Sequence, residues 1–399
     1  MRVLTLNCGS SSIKFQFINV ETEDVMAEGS VERIGEETGL FTYKSEKYTA
    51  KKQKTVIEDH SKGIQMIIDN LMNPDHGQIS DESGIDAVGH RLVHGGEYFS
   101  KSVVINDEVM KVLHDCIDLA PLHNPANIMG VKAVTEYLPN IPQCGVFDTA
   151  FHQTMPPRAY LYGLPLEMYE KHQIRRYGFH GTSHKFVSKL AAEHVGKDIK
   201  DLKIITCHIG NGASVTAVKN GESIDTSMGF TPLEGLVMGT RCGDLDPQIP
   251  LHLIKNLGMT ADEVNTLLNK KSGMAGISTI SNDMREIETE ILEHKNEKAI
   301  QAHEVYAYRI KKYIGAYAAA MNGLDILVFT GGVGENMPIL RSLVCKDLDF
   351  FGIKLNEEQN AQFKGGTIEL HADDSKVAVL KIQTNEELMI AMETKALLK

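Results

Sequence analysis

The chain has 399 residues, enough for two or three domains with cores of their own. Its 41 Lys and Arg against 53 Asp and Glu leave a net charge of −12, which argues against coating a polyanion and so against a nucleic-acid partner. With 42% apolar and 24% charged residues, it reads as a folded globular protein rather than a disordered or fibrous one.

Met1 to Leu6 runs directly into a strand-like pattern with no basic-then-apolar leader, and no 18 consecutive residues are apolar, so neither export nor a membrane is expected. A repeat follows at once. Arg2 to Ser12 aligns without gaps on Lys203 to Ala213 at a constant offset of 201, about half the chain. Each copy is a basic residue, a buried strand, a polar residue at its end and a small-residue turn. A second alternating strand comes next, Ile13, Phe15 and Phe17 in one copy and Val215 and Ala217 in the other. The Asn220-Gly221 pair predicts a tight turn into a third strand, Ser223 to Thr226.

Helices are predicted over Ser61 to Met72, Asp107 to Leu119 and Asn127 to Tyr137, around strands Ile85 to Val93 and Gln143 to Phe147. In the second half a helix starts at the capping box Thr260-x-x-Glu263 and stops near Gly273, and a long one runs from Glu297 to Met321. A buried strand, Asp325 to Thr330, opens into the turn Gly331 to Asn336, and the chain ends in strand Lys376 to Ile382 and a helix from Asn385. Antiparallel strands followed by alternating strands and helices, twice over, predict an α/β protein of two similar lobes. Their junction is expected within Asp148 to Pro165.

The six cysteines (Cys8, Cys116, Cys144, Cys207, Cys242, Cys345) are scattered without a CxxC pair. They suggest neither a disulfide framework nor a zinc site, and a reducing cytoplasm fits them best. Three small-residue turns follow strand ends: Asn7 to Ser12, Gly210 to Ala213 and Gly331 to Asn336. Such turns let backbone N–H groups wrap a phosphate, although a glycine turn is often only a turn. Neither a G-x-x-x-x-G-K-[ST] loop nor a dinucleotide fingerprint is present. Arg91, in Gly89 to Gly96, and Arg241, in Gly239 to Asp244, are read as strand-end guanidinium groups in glycine loops, suited to a phosphate or carboxylate or else to a salt bridge. His90 and His94 are four apart on an expected strand, hence about 13 Å apart, and with no third ligand a metal reading of them or of His180 and His184 carries little weight. His180 precedes a helix expected to be capped by Thr182 or Ser183. Asp148, at a strand's carboxyl end, reads equally as a site residue or a helix cap. Thr384 to Glu387 reads as a capped helix start whose carboxylates could hold magnesium.

These motifs together resemble the acetate kinase family. Val3 to Lys14 is similar to its amino-terminal signature and Gly89 to Gly96 to its second. Phe147 to His152, Tyr177 to His184, His208 to Gly212, Gly331 to Asn336 and Thr384 to Glu387 extend the resemblance over the full length, and no motif position departs from the pattern. The resemblance implies an enzyme that reversibly transfers phosphoryl from ATP to acetate, giving acetyl phosphate and ADP. It also implies Mg²⁺ with Mn²⁺ as a substitute, a homodimer, and two actin-like (ribonuclease H-like) lobes with the nucleotide in a cleft between them. Residues 1–148, joined by helix 387–399, would be the acyl and phosphoryl lobe. Residues 149–386 would bind nucleotide and dimerise.

Residue by residue, the resemblance places Mg²⁺ at Asn7 and Glu386, and the transferred group near Ser10, Ser12 and Lys14. Arg91 would hold the carboxylate, Arg241 and His180 would stabilise transition-state charge, and Asp148 would orient or deprotonate the attacking group. Val93, Leu122, Phe179 and Pro232 would wall the acetate methyl. His208, Ile209, Gly210, Asn211, Gly212, Asp283, Met284, Arg285, Gly331, Gly332, Val333, Gly334 and Glu335 would surround ATP. Acetate is already ionised at neutral pH, so Asp148 is expected to position rather than to abstract a proton. Two alternatives stand beside this: a propionate or butyrate kinase, and a non-catalytic ATP-binding protein on the same scaffold.

Overall fold

Alternating apolar residues turn the first 19 residues into a hairpin, β1 (Arg2–Gly9) and β2 (Ser12–Asn19), with Val3, Leu4, Ile13 and Phe17 fully buried. The computed structural model describes every residue except Leu122 and Lys364. It divides into two units, Met1–Gln153 with Asn385–Lys399, and Thr154–Thr384. The first adds β3 (Asp24–Glu32), β4 (Gly39–Ser45), β5 (Thr49–Thr55), β6 (Ala87–Leu92), β7 (Val103–Val104) and β8 (Gln143–Phe147). Its eight-stranded sheet has the order β5-β4-β3-β2-β1-β6-β8-β7. The second unit holds β9 (Lys203–Ile209), β10 (Ala213–Lys219), β11 (Glu222–Thr226), β12 (Ile326–Thr330), β13 (Thr367–Glu369) and β14 (Ala378–Ile382), in the order β11-β10-β9-β12-β14-β13.

The duplication expected from the 201 offset is present. β3-β2-β1-β6-β8-β7 and β11-β10-β9-β12-β14-β13 have the same order, with two antiparallel neighbours, two parallel ones and an antiparallel edge. The hairpins differ in register: Gly9 pairs Ser12, whereas Ile209 pairs Ala213. The first turn is therefore Ser10-Ser11 and the second Gly210-Asn211-Gly212. Strands β4 and β5 fall where the sequence reading assigns no element. β5 carries Lys51, Lys52 and Lys54, which blunt the exposed edge of the first sheet against further pairing.

The core of the first unit gathers Leu4, Leu6, Phe15, Phe17, Val31 and Phe41 with Ile64, Ile67 and Val134 from helices His60–Leu71 and Asn124–Tyr137. Each such side chain contributes about 1.5–3 kcal/mol by leaving water. Asp59 caps the first helix, accepting from Lys62 N at 2.8 Å. In the second unit Thr260 and Glu263 close the expected capping box, and helix Glu297–Met321 ends where Asn322 turns left-handed (φ 57°).

Several expectations shift. The helix predicted to Leu119 ends at Asp115, and Gly331–Asn336 forms a short helix rather than a turn. β6 stops at Leu92, so His94 lies beyond it, and the helix after His180 begins at Gly181 with no side-chain cap. Ser183 faces inward instead of capping. Arg241 lies in the loop between β11 and helix Gln248–Leu257, not at a strand end.

Burial of His303 within the long helix pushes its pKa down from 6.5 to about 4, and its Nε2 has no hydrogen-bond partner among the described residues. Between those values the unfolded chain binds the extra proton, so this histidine's contribution to stability is complete above pH 6.5 and lost as pH falls toward 4. Between pH 7 and 5 that amounts to about 2 kcal/mol by linkage. The His303→Leu protein should show a correspondingly shallower fall in its thermal midpoint over that range. An unchanged slope would show that His303 does not carry the effect.

Candidate active site

In the first unit, parallel register aligns the functional ends of three strands. Leu6 pairs His90 and Leu92 pairs Phe147, so Asn7, Arg91 and Asp148 arrive at one carboxyl edge, where α/β sheets hold ligands. Asp148 N donates to Leu92 O at 2.9 Å, extending the ladder by one rung. Asn127, which sequence reasoning missed, ties this edge together: its Oδ1 accepts from Val93 N and its Nδ2 donates to Cys8 O, both at 2.9 Å.

Arg91 meets Asp148 as a two-pronged pair, Nε to Oδ1 at 3.0 Å and Nη2 to Oδ2 at 2.6 Å. Its Nη1 donates to Asn7 Oδ1 at 3.4 Å, and its Nε lies 3.9 Å from Glu386. Asp148 is 2% exposed, and both of its carboxylate oxygens face the Arg91 guanidinium. Burial alone would lower the Arg91 pKa, but the carboxylates of Asp148, Glu386 and Glu387 push it further up. Glu386 opens the helix Glu386–Leu397, which Asn385 caps. Burial raises the pKa values of both Glu386 and Glu387, partly opposed by Arg91 and Lys14.

The Ser10-Ser11 turn is held from behind by His60, whose Nε2 lies 2.7 Å from Gly9 O. In front of it a cavity of about 760 Å³ is lined by Ser11, Ser12, Lys14, Arg33 and Glu387. Lys14 has no ion pair among the described residues, and Glu387, part of the helix start that the sequence reading offered to magnesium, lines this cavity. Val93 is buried in this unit. Leu122 lies outside the described residues.

The second unit assembles the remaining candidates at the carboxyl ends of β9 and β12, where Thr330 pairs His208. His180, left-handed at φ 57°, stacks on His208 with ring centres 4.3 Å apart. That backbone conformation is uncommon for a residue with a side chain and is typical of functional positions. His180 Nδ1 lies 2.9 Å from Ser214 Oγ. Gly212 keeps the space beside this ring open, since a Cβ there would sit 3.4 Å from both His180 Nε2 and Arg241 Nη1. Those two nitrogens therefore converge on the Gly210–Gly212 turn.

Arg241 is half-buried, its pKa lowered by desolvation, with Nη1 donating to Pro232 O at 3.3 Å. No carboxylate among the described residues pairs with it. The loop that carries Pro232 and Arg241 is anchored by Arg176, which donates to the carbonyls of Thr226, Ser227 and Met228 and pairs with Glu234 at 2.7 Å. Phe179 is buried in this unit.

Asn211 Oδ1 accepts from Asn282 Nδ2 at 3.1 Å, joining the turn to the segment that holds Asp283, Met284 and Arg285. Asp283 caps its helix and pairs with Arg285 at 2.6 Å, which lowers its pKa to about 2. Gly331 (φ 78°) lies against the backbone of Ile209, where a Cβ would come within 2.8 Å of the carbonyl oxygen. Gly332 is open to solvent, whereas the Glu335 carboxylate accepts from Gly331 N at 2.9 Å and Thr384 N at 3.2 Å. Fully buried Arg341, absent from the sequence reading, donates to the carbonyls of Gly334 and Glu335 at 2.8 and 2.9 Å. The 331–335 segment is thus fixed by side chains behind it.

Duplicated mixed sheets with small-residue turns, a part-buried Arg91–Asp148 pair and a second arginine with no carboxylate partner among the described residues are features chemically suited to oxyanions. A sequence model of the acetokinase family matches residues 2–392. The chain is 54% identical over 397 residues to the acetate kinase of Clostridium acetobutylicum, covering 99% of this chain and 98% of that one. Among solved structures, Porphyromonas gingivalis acetate kinase superposes with a TM-score of 0.95 at 49% identity over all of both chains. A propionate kinase from Francisella tularensis subsp. tularensis gives 0.91 at 42% identity over 99% of each. The chain belongs to the acetokinase family.

Proposed function

We propose that this protein is an acetate kinase, transferring the γ-phosphoryl group of ATP directly to acetate and back from acetyl phosphate to ADP. An acetate oxygen forms the new P–O bond as the bond to the ADP oxygen breaks, and no proton need move because acetate enters ionised. The observation that carries this is the Arg241 guanidinium, half-buried with no carboxylate partner among the described residues, beside His180 Nε2 at the Gly212 turn. A cation held in that way suits charge that develops on an equatorial phosphoryl oxygen.

Each side chain then has a role. Arg241 and His180 stabilise that charge, and Gly210 to Gly212, His208, Asp283 to Arg285 and Gly331 to Glu335 hold the nucleotide. Ser10, Ser12 and Lys14 attend the phosphoryl group. Arg91 receives the acetate carboxylate, and Asp148 orients Arg91, since both of its oxygens already accept from that guanidinium. Val93 in the first unit, and Phe179 and Pro232 in the second, are the described candidates for recognising the methyl group, on the strength of the family resemblance. Asn7 and Glu386 fit a magnesium ion: both are oxygen donors near Arg91, and the cost of burying the Glu386 and Glu387 carboxylates would be offset by a divalent cation. When bound, the ion screens phosphate charge and orients the phosphate oxygens. The free thiols of all six cysteines support a cytoplasmic enzyme, and the exposed Ile249, Leu251, Ile254 and Leu257 of one helix support a homodimer.

The Francisella propionate kinase gives a second reading specific support, because one methylene in an apolar pocket is worth only about 1–3 kcal/mol. Trapping the acyl phosphate with hydroxylamine tests both. Hydroxamate should form from ATP and acetate, with kcat/KM for acetate exceeding that for propionate by about tenfold or more and butyrate lower still. Propionate ahead of acetate would reassign the substrate, and no hydroxamate from any of the three would remove the kinase reading.

A further inference from the structure

We propose that Thr206, His184 and Ser214 form a one-way hydrogen-bond chain that fixes His180 as its Nε2–H tautomer, a neutral donor aimed at the Gly212 turn. This deepens the phosphoryl-transfer reading, on which only its kinetic test rests.

Thr206, His184 and Ser214 are each fully buried. Thr206 Oγ1 lies 2.7 Å from His184 Nδ1, His184 Nε2 lies 2.7 Å from Ser214 Oγ, and Ser214 Oγ lies 2.9 Å from His180 Nδ1. Each hydroxyl has one proton to give, and a neutral imidazole has one N–H and one bare nitrogen. Among the described residues the side-chain partner of the Thr206 hydroxyl is His184 Nδ1. A buried O–H without an acceptor is penalised, so Thr206 donates and His184 Nδ1 is bare.

The remaining directions are then fixed one by one. The His184 proton must sit on Nε2 and is given to Ser214 Oγ. Ser214 has a single proton, which goes to His180 Nδ1. His180, accepting there, carries its own proton on Nε2, the nitrogen that shares the Gly212 turn with Arg241 Nη1. The reverse chain would leave the Thr206 proton with nothing to bind. Stacking on His208, itself 2.8 Å from Ser183 Oγ at Nδ1, holds the plane of the ring. His180 thus supplies a hydrogen bond beside Arg241 without placing a second positive charge there. Ser214, His184 and Thr206 are positioning residues that act through it.

Nitrogen-15 NMR of the intact protein labelled at histidine reads the tautomer without substrate, with the His180 signals identified by their loss in His180→Gln. The parent should show a bare Nδ1 and a protonated Nε2. A protonated Nδ1 would overturn the proposal. In Ser214→Ala, kcat should fall about 10- to 100-fold, taking as a guide the range seen when outer partners of metal-ligating histidines are removed. KM for ATP and acetate should stay within about twofold, and Ser214→Thr, which keeps the hydroxyl, should recover most of the rate. An unchanged kcat, or a loss confined to KM, would also overturn it. If Ser214→Ala does not fold, the parent spectrum alone decides. A parent protein that shows the predicted tautomer but makes no acetyl phosphate would sink the functional reading and leave this one standing.

Discussion

Replacing Arg241 by alanine should lower turnover about 10²–10³-fold, roughly 3–4 kcal/mol of transition-state stabilisation, while leaving the fold as stable as before or slightly more so. The two halves of this expectation have one cause. In the ligand-free protein Arg241 loses hydration and, among the described residues, gains a carbonyl and a thioether contact, from Pro232 O at 3.3 Å and Met238 Sδ at 3.6 Å. Desolvation accordingly lowers its pKa with no opposing carboxylate. An uncompensated cation of that kind is a cost to folding that only an anionic ligand relieves, so its removal trades activity for stability. Arg241→Lys should regain only part of the rate, because a point charge on a flexible stem cannot reproduce a planar fork. Near-parental turnover in Arg241→Ala would remove the assignment, and a large drop in thermal midpoint would show that the side chain is structural.

Arg91→Ala should lose activity to a similar degree but with the opposite effect on stability. Here the guanidinium is already matched by Asp148 through two hydrogen bonds, and Asp148 is 2% exposed. Deleting one partner of a buried pair strands the other, which typically costs about 3–5 kcal/mol. Asp148→Asn placed on top of Arg91→Ala removes the stranded charge. It should restore much of the lost thermal stability while activity stays low. If the single variant melts with the parent, or the double variant melts below the single, the pair does not hold the site in the way described.

Much of this was legible in the sequence because it is written locally. The hairpins and their repeat rest on alternation and small-residue turns, so β1, β2, β9 and β10 could be placed, as could the capping box at Thr260. Asn7, Arg91 and Asp148 could be proposed one at a time, because each follows a recognisable strand. That they meet depends on the parallel register of β1, β6 and β8, a long-range property that no local pattern encodes. The same holds for Asn127, Arg341 and Arg176. Asn127 and Arg176 reach backbone groups far away in sequence, Arg341 reaches carbonyls only six and seven residues back, and from the chain alone each looks like an ordinary helix or loop residue. Ser183 shows the reverse failure. Its position at a helix start predicts a cap, but packing against His208 and Thr384 claims its hydroxyl first. The edge strand β5 escaped because the lysines that protect its edge also dilute the apolar alternation that marks a strand.

The most direct test of the central claim runs the reaction in its downhill direction. Purified protein is mixed with acetyl phosphate and MgADP and followed by phosphorus-31 NMR. The account predicts that the acetyl phosphate signal is replaced by the γ-phosphate of ATP in equal amount. Loss of acetyl phosphate to orthophosphate alone, or its persistence unchanged, would contradict it.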